Sequence, residues 1–229
     1  GTLFPSAAIE TRAGASPGME EDVMFFVVDH PCVKAKLTLL RDERTDSKHF
    51  REYVGEITCF IAYEALKNLE TEEIPVKTPL CETTGCRIRN SVAVVPILRA
   101  GIGMLDGILK LVPDATVGFV GLERDHVTAE PREYYCKLPA AEADSLAVVV
   151  DPMLATGGSL AATVEVLKRN GFARIVVITI LAAPEGREAM ERLHPDVKVY
   201  TGALDAGLNE RKYILPGLGD AGDRIFGTL

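Results

Sequence analysis

The stretch that decides the fold is Val148-Val149-Val150-Asp151-Pro152-Met153-Leu154-Ala155-Thr156-Gly157-Gly158-Ser159. An apolar run that begins at Leu146 stops at an acid. A short turn follows, then two glycines and a serine, then a helical pattern over residues 160–169. That order predicts a strand, a loop and a helix start. The first amides of a helix have no intrahelical acceptor and carry partial positive charge. Gly157 and Gly158 let this backbone approach an anion closely, and Thr156 and Ser159 add hydroxyl donors. Asp151 falls at the carboxyl end of the strand, where open α/β sheets bind their ligands. A phosphate cradle with a carboxylate beside it suits a sugar phosphate: the loop donates and the acid accepts from ring hydroxyls. The segment is not a Walker loop, because Gly158 stands where that motif needs Lys.

Working outward, the same alternation recurs. Residues 91–98 form a near-continuous apolar run, the mark of a strand buried on both faces. Arg99-Ala100-Gly101 follows, then a helical pattern over residues 102–111. Residues 116–121, 174–181 and 197–200 read as further strands. The helix after Ser159 ends at Asn170-Gly171, with glycine past its last turn. Pro184-Glu185-Gly186 opens another helix, reaching about Leu193. Strand alternating with helix predicts a mostly parallel central sheet with right-handed crossovers, flanked by helices, in an α/β fold. Residues 122–139, polar and aromatic, show no helical period and read as an extended β-arm. Before this unit, residues 23–28 are a candidate strand, ended by a turn at Asp29-His30-Pro31. Residues 33–40 mix apolar and basic side chains and lead into a charged loop at 41–46. A long amphipathic helix is expected over residues 48–69, and residues 77–89 as a connection or short edge hairpin. After Thr201 the pattern gives way to glycine-rich loop, expected as a lobe over the sheet edge.

Composition narrows the function. At 229 residues the chain makes one sizeable domain, with 47% hydrophobic and 25% charged residues. A net charge of −8 argues against a nucleic-acid surface, and no apolar run has the length of a membrane span. Five irregularly spaced cysteines, with no Cys-x-x-Cys, predict reduced thiols in a cytoplasmic protein. Residues 1–20 lack the basic start and apolar core of a secretory signal and read as a flexible arm before a single domain over 21–229.

At the quoted loop the sequence resembles the uracil phosphoribosyltransferases. Asp151 to Ser159 looks like their phosphoribosyl-pyrophosphate loop, and Pro96-Ile97-Leu98-Arg99-Ala100-Gly101 resembles their pyrophosphate loop. Tyr213-Ile214-Leu215-Pro216-Gly217-Leu218-Gly219-Asp220-Ala221-Gly222-Asp223 resembles their uracil-binding segment. The resemblance runs from about Val23 to Leu229, with all three stretches in the family's order. It implies the type I phosphoribosyltransferase fold, with a small hood contributed by about 21–45 and 201–229. It also implies transfer of a phosphoribosyl group from phosphoribosyl pyrophosphate to uracil, giving UMP. By that resemblance Asp151, Arg99 and Asp220 are the catalytic candidates. Arg99, Arg124, Asp220 and the whole run Asp151, Pro152, Met153, Leu154, Ala155, Thr156, Gly157, Gly158 and Ser159 bind phosphoribosyl pyrophosphate. The resemblance also places a strained non-proline peptide in the Arg99 loop. Ile214, Gly219 and Ala221 offer main-chain groups to uracil, with Asp220 near the ribose. Mg²⁺ is expected through substrate oxygens and water, with no direct protein ligand. The implied partners are uracil and phosphoribosyl pyrophosphate, with GTP as an effector and a homodimer or homotetramer as the assembly. Glu123 and His126 depart from the family's usual residues beside Arg124.

Two rival readings stand beside this one. A nucleotide-sensing, RNA-binding regulator could use the same fold, although the acidic charge speaks against it. A purine-base phosphoribosyltransferase would share the phosphate loop but not the C-terminal segment. Gly217-Leu218-Gly219-Asp220-Ala221-Gly222 formally matches Gly-x-Gly-x-x-Gly. No strand leads directly into it and only seven residues follow, too few for the crossover helix of a dinucleotide site. Arg41, Arg44 and Arg51 read as surface charge, with an effector phosphate site as the sharper alternative. His30, His49 and His194 read as structural.

Overall fold

The computed structural model describes residues 24–124 and 131–228. The central sheet is built from β1 (Phe25–Val27), β4 (Val92–Leu98), β5 (Thr116–Val117), β6 (Phe119–Arg124), β7 (Pro131–Lys137), β8 (Leu146–Val150), β9 (Met153–Leu154), β10 (Arg174–Ala182) and β11 (Lys198–Leu204). Its order is β1-β11-β10-β8-β4-β6-β7, with β5 on β4 and β9 on β10. Every pairing is parallel except β6 with β7, which form an antiparallel hairpin where the β-arm is expected.

The sheet is buried on both faces, which explains its uninterrupted apolar strands. Val92, Val94, Val148, Val150, Val176 and Ile178 point one way, into a core shared with α1 (Pro31–Arg41), α2 (Ser47–Ala65), α3 (Ile102–Leu109) and α6 (Ala221–Phe226). Ala93, Val95, Ile97, Ala147, Val149 and Val177 point the other way, towards α4 (Gly158–Arg169) and α5 (Pro184–Leu193). Two small two-stranded sheets complete the fold: β2 (Thr71–Lys77) with β3 (Glu82–Ile88), and β12 (Gly207–Leu208) with β13 (Ile214–Leu215).

Three boundaries differ from the sequence reading. Residues 31–41 are a helix: Val33, Leu37 and Leu40 are buried on one face, and Pro31 sits in its first turn. Proline there starts a helix rather than ending a segment, because the N–H it lacks has no partner anyway. His30 Nδ1 accepts the Cys32 amide at 3.1 Å and so caps it. The long helix α2 stops at Ala65, short of Leu69, and the chain then turns into β2. That strand and β3 make a full hairpin, with Pro75 opposite Thr84, where only a connection or short edge hairpin is expected. The expected arm at residues 1–20 lies outside the described residues.

Candidate active site

In chain order the core strands are β4, β6, β8, β10 and β11, but in space they run β11-β10-β8-β4-β6. The chain steps from β4 outward to β6, then returns to lay β8 on the other side of β4. The order reverses between β4 and β8, and in open parallel sheets the crevice at such a point, beyond the carboxyl ends, is where ligands sit. The two residues leaving those ends are Arg99, after Leu98, and Asp151, after Val150. Pro96 pairs with Val150 across β4 and β8, so the two exits are neighbours.

The phosphate loop hangs from β10. Asp151 N–H donates to Ile178 O at 3.3 Å, and the Pro152 carbonyl accepts Ile180 and Leu181 N–H at 3.1 and 3.0 Å. Thr179 Oγ1 donates to the same carbonyl at 3.1 Å. Leu154 O accepts Ala183 N–H at 2.9 Å, and its side chain is fully buried. Pro152 and Leu154 therefore serve the sheet, and the stretch from Ala155 to Ser159 is the part that turns towards the crevice. Gly157 has φ +83° and is the residue before α4. A side chain there would be both conformationally strained and 2.8 Å from Ala189 Cβ. The first bond back from α4 is Ala161 N–H to Gly157 O, so the amides of Gly158, Ser159 and Leu160 lack intrahelical acceptors.

Asp151 is half-buried beside this helix start. Burial pushes its carboxyl up to about 6, against a smaller opposing effect of the Met153 amide, which donates to Oδ1 at 3.1 Å. Among the described residues no cation pairs with it.

Across the crevice, the Leu98–Arg99 peptide bond is cis, in the loop where a strained non-proline peptide is expected. Gly101 packs that loop onto the sheet: a Cβ there would lie 2.4 Å from Val150 O and 2.6 Å from Ile97 N, so no other residue fits. The Arg99 side chain is more than half exposed. The backbone of Arg124 ends β6 opposite Pro131. Its side chain, and His126, lie outside the described residues.

The C-terminal segment closes the third side. Ile214 is buried in β13, while Gly219 and Asp220 are exposed. Asp220 caps α6, its Oδ1 accepting Asp223 N–H at 2.9 Å, and Ala221 begins that helix. The segment is anchored by arginines rather than by a strand. Arg41 makes a fork to Asp205, at 2.8 and 2.5 Å, and donates to Gly217 O at 2.7 Å. Arg224 donates to Leu40 O (2.5 Å), Leu218 O (2.9 Å) and Asp42 O (2.6 Å), with its guanidinium over the Phe50 ring. Arg51 donates to Ile225 O at 2.8 Å. Arg41, partly buried, is committed within the chain, whereas Arg51 and Arg44 stay at the surface as expected, Arg51 with its one bond to Ile225 O and Arg44 paired with Asp42. Sequence reasoning did not single out Arg224 or Asp205, and no local pattern marks them, because their partners lie far away in sequence. His194, buried, contacts Ala161 O at 3.1 Å through Nε2, a structural place like that of His30. Among the described residues no group of three or more His, Cys, Asp or Glu side chains converges to hold a metal ion. All five cysteines are free thiols, and no described helix is long and apolar enough to cross a membrane.

Comparison with known proteins places this geometry. The family model described as uracil phosphoribosyltransferase matches residues 27–228. A uracil phosphoribosyltransferase of Thermoanaerobacter sp. (strain X514) is 53% identical over 204 residues, covering 89% of this chain and 97% of its own. The enzyme of that name from Malacoplasma penetrans is 49% identical over 205 residues, covering 90% of this chain and all of its own. Among solved structures, the AQ2163 protein from Aquifex aeolicus superposes with a TM-score of 0.84 at 36% identity, over 89% of this chain and 98% of that one. A match over this much of the chain, on a fold whose crevice is bordered by the three stretches that carry the resemblance, fixes the assignment: the chain belongs to the uracil phosphoribosyltransferase family.

Proposed function

We propose that this protein transfers the phosphoribosyl group of 5-phosphoribosyl 1-pyrophosphate to uracil, releasing UMP and pyrophosphate. The observation that carries the reading is the meeting of a glycine-capped helix start, a half-buried carboxylate and an exposed arginine at the reversal of strand order. In the reaction the bond from ribose C1 to the pyrophosphate oxygen breaks, and a bond from C1 to uracil N1 forms. The N1 proton leaves. The barrier is one of charge, since several negative charges depart while the ribose becomes cationic, so positioning and fixed electrostatics carry the catalysis.

The loop amides from Thr156 to Ser159, with the two hydroxyls, hold the 5′-phosphate. Asp151 accepts from the ribose hydroxyls. Its burial strengthens each such bond, and among the described residues no cation competes for the carboxylate. Arg99 offers its fork to the pyrophosphate, as does Arg124. Main-chain groups at Ile214, Gly219 and Ala221 read the uracil edge. A fixed backbone pattern rejects cytosine because unpaired groups would be buried against it. With no group of three or more ligating side chains converging among the described residues, Mg²⁺ fits as a hard ion that keeps its waters and takes substrate phosphates. Bound there, it would supply neutralisation of the departing pyrophosphate.

The wider reading is a single domain over residues 21–229 with its hood, acting in the cytoplasm as a homodimer or homotetramer. The exposed Tyr134 and Tyr135 of β7 are the proposed subunit contact. GTP is the proposed effector. The decisive assay measures nucleotide formed from phosphoribosyl pyrophosphate with each base, with and without GTP. Turnover of uracil is expected. Turnover of hypoxanthine or orotate, with none of uracil, would overturn the specificity. Light scattering in solution reads the assembly.

A further inference from the structure

Arg99 is gripped by the C-terminal helix as well as carried by its own loop. Its Nη2 lies 3.4 Å from Asp223 Oδ1, and its guanidinium carbon lies 5.7 Å from the centre of the Phe226 ring. Gly222 lies beside this pair: a Cβ there would be in van der Waals contact with Ala100 Cβ at 3.8 Å and Arg99 Nη2 at 3.9 Å. The gripping helix is itself fixed. Ile225 is buried, Arg51 donates to its carbonyl at 2.8 Å, and Arg224 ties the same helix to residues 40 and 42. Asp223 Oδ1 also accepts the Thr228 hydroxyl at 2.6 Å, which holds the carboxylate in one orientation.

The geometry of the grip matters. Only one of the guanidinium's five N–H groups is used, at long range, and the side chain stays more than half exposed. A bidentate pair would have blocked the arginine. A single contact leaves the rest of the fork open to an anion while removing much of the rotamer freedom of a long side chain. Ordering that side chain in advance removes an entropy cost that binding would otherwise meet.

We propose that Asp223, with Phe226, is a positioning residue for Arg99. It sets the fork towards the pyrophosphate, and it makes the base-reading segment and the pyrophosphate loop one mechanical unit, since Asp223 lies three residues beyond Asp220. This rests on the reading of the site given above. An ordinary exposed ion pair contributes little, so the test must separate positioning from stability.

Three variants do so: Asp223→Ala, Asp223→Asn and Thr228→Ala. Steady-state kinetics are measured with uracil and phosphoribosyl pyrophosphate, and inorganic pyrophosphate is titrated calorimetrically into each protein. Asp223→Ala is expected to raise KM for phosphoribosyl pyrophosphate and Kd for pyrophosphate about tenfold, with kcat changed much less. Asp223→Asn, which keeps an oxygen acceptor for Arg99, restores part of that loss. Thr228→Ala removes the carboxylate's other partner without touching Arg99, and raises both constants in the same direction but by less than Asp223→Ala. A double-mutant cycle of Asp223→Ala with Arg99→Ala should be strongly non-additive. Additive losses, or an unchanged pyrophosphate Kd in a folded Asp223→Ala protein, would overturn the proposal. Wild-type protein that makes no UMP would instead sink the catalytic reading, and the pyrophosphate titration would still decide whether Asp223 sets Arg99.

Discussion

Residues 151–159 hang from the central sheet by main-chain bonds: Pro152 and Leu154 accept from β10, and glycine at 157 turns the chain into α4. Residues 205–227 keep one main-chain bond to β10, Asp205 N–H to Ala182 O at 2.8 Å, and beyond it are held by buried apolar side chains and by arginines. Arg41 and Arg224 reach across from α1 and α6 to bond Asp205, Gly217 and the carbonyls of Leu40 and Asp42. Both regions border one crevice. The first is as rigid as the sheet that carries it. The second is stapled by a few charge-assisted bonds, each removable by one substitution. A site that must admit substrates and then enclose them benefits from one fixed wall and one separable wall. Changes on the sheet side should therefore strike turnover, and changes on the arginine side should strike the affinity for the base.

The largest effect is expected at Asp151. Asp151→Asn keeps an acceptor for the Met153 amide but removes the charge, and turnover should fall about 100-fold or more, by analogy with the loss of one preorganised electrostatic partner. The substitution also has a pH signature. The folded protein holds the Asp151 proton up to about pH 6, above the ordinary carboxylate value of 3.8. The ionised form is the better acceptor, so wild-type kcat/KM should fall as pH drops through about 6, and the variant should lack that limb. Between those two values the native state binds the proton more tightly than the unfolded chain, so this group's contribution to stability falls as pH rises through the window. Above about pH 6 the folded variant should accordingly melt at or above the wild-type temperature while being far less active. A variant equally active, or equally sensitive to acid, would remove Asp151 from the mechanism.

Next comes Gly101. A methyl group there meets Val150 O at 2.4 Å, so the Arg99 loop must lift off the sheet. Gly101→Ala is expected to cost about 100-fold in kcat/KM, the scale of an ångström-sized misplacement of a reacting group. Retained activity with an unshifted melting temperature would show that the loop tolerates displacement, and the contrast between a fixed and a separable wall would weaken.

The legibility of the two walls in the sequence follows the same division. The sheet side is written in local signals: apolar runs of strand length, an acid at a strand end, glycines at a helix start. These predict the parallel α/β architecture and the order of its parts. The first helix is also written, in Val33, Leu37 and Leu40 on one face, but Pro31 reads as a stop when it is a start. The hairpin at residues 71–88 is hidden because most of its residues are exposed, and alternation between apolar and polar cannot show where neither face is buried. The arginine staples leave no trace in sequence. Arg224 bonds main-chain carbonyls more than 180 positions earlier, and a carbonyl carries no residue identity.

On the separable wall, Arg224→Ala should have the larger effect. It leaves the carbonyls of Leu40, Leu218 and Asp42 without their donor and strips the cation from the Phe50 ring. KM for uracil is expected to rise about tenfold, with a melting temperature several degrees lower, as fits the loss of several bonds from one charged group. Arg224→Lys should recover little, because one ammonium does not span three carbonyls held by a planar fork. Full recovery by lysine would mean that charge alone, rather than the fork, holds the segment.

The smallest effect is expected at Arg41, for a reason visible in its partner. Asp205 Oδ2 accepts the Gly217 amide at 2.9 Å independently of Arg41, so the turn that carries the base-reading residues keeps one tie when the arginine goes. What Arg41→Lys loses is the second arm of the fork and a choice between Asp205 and Gly217 O. The lysine keeps the buried carboxylate of Asp205 paired, which avoids the large cost of leaving a charge uncompensated. A two- to threefold rise in uracil KM, roughly the weight of one hydrogen bond, is the expected result. Asp205→Asn should exceed it, since that change weakens both ties at once and leaves Arg41 facing a neutral amide. If the two substitutions cost the same, Arg41 would be the whole anchor and Asp205 only its counter-ion, and the segment would be held by a single staple at each end.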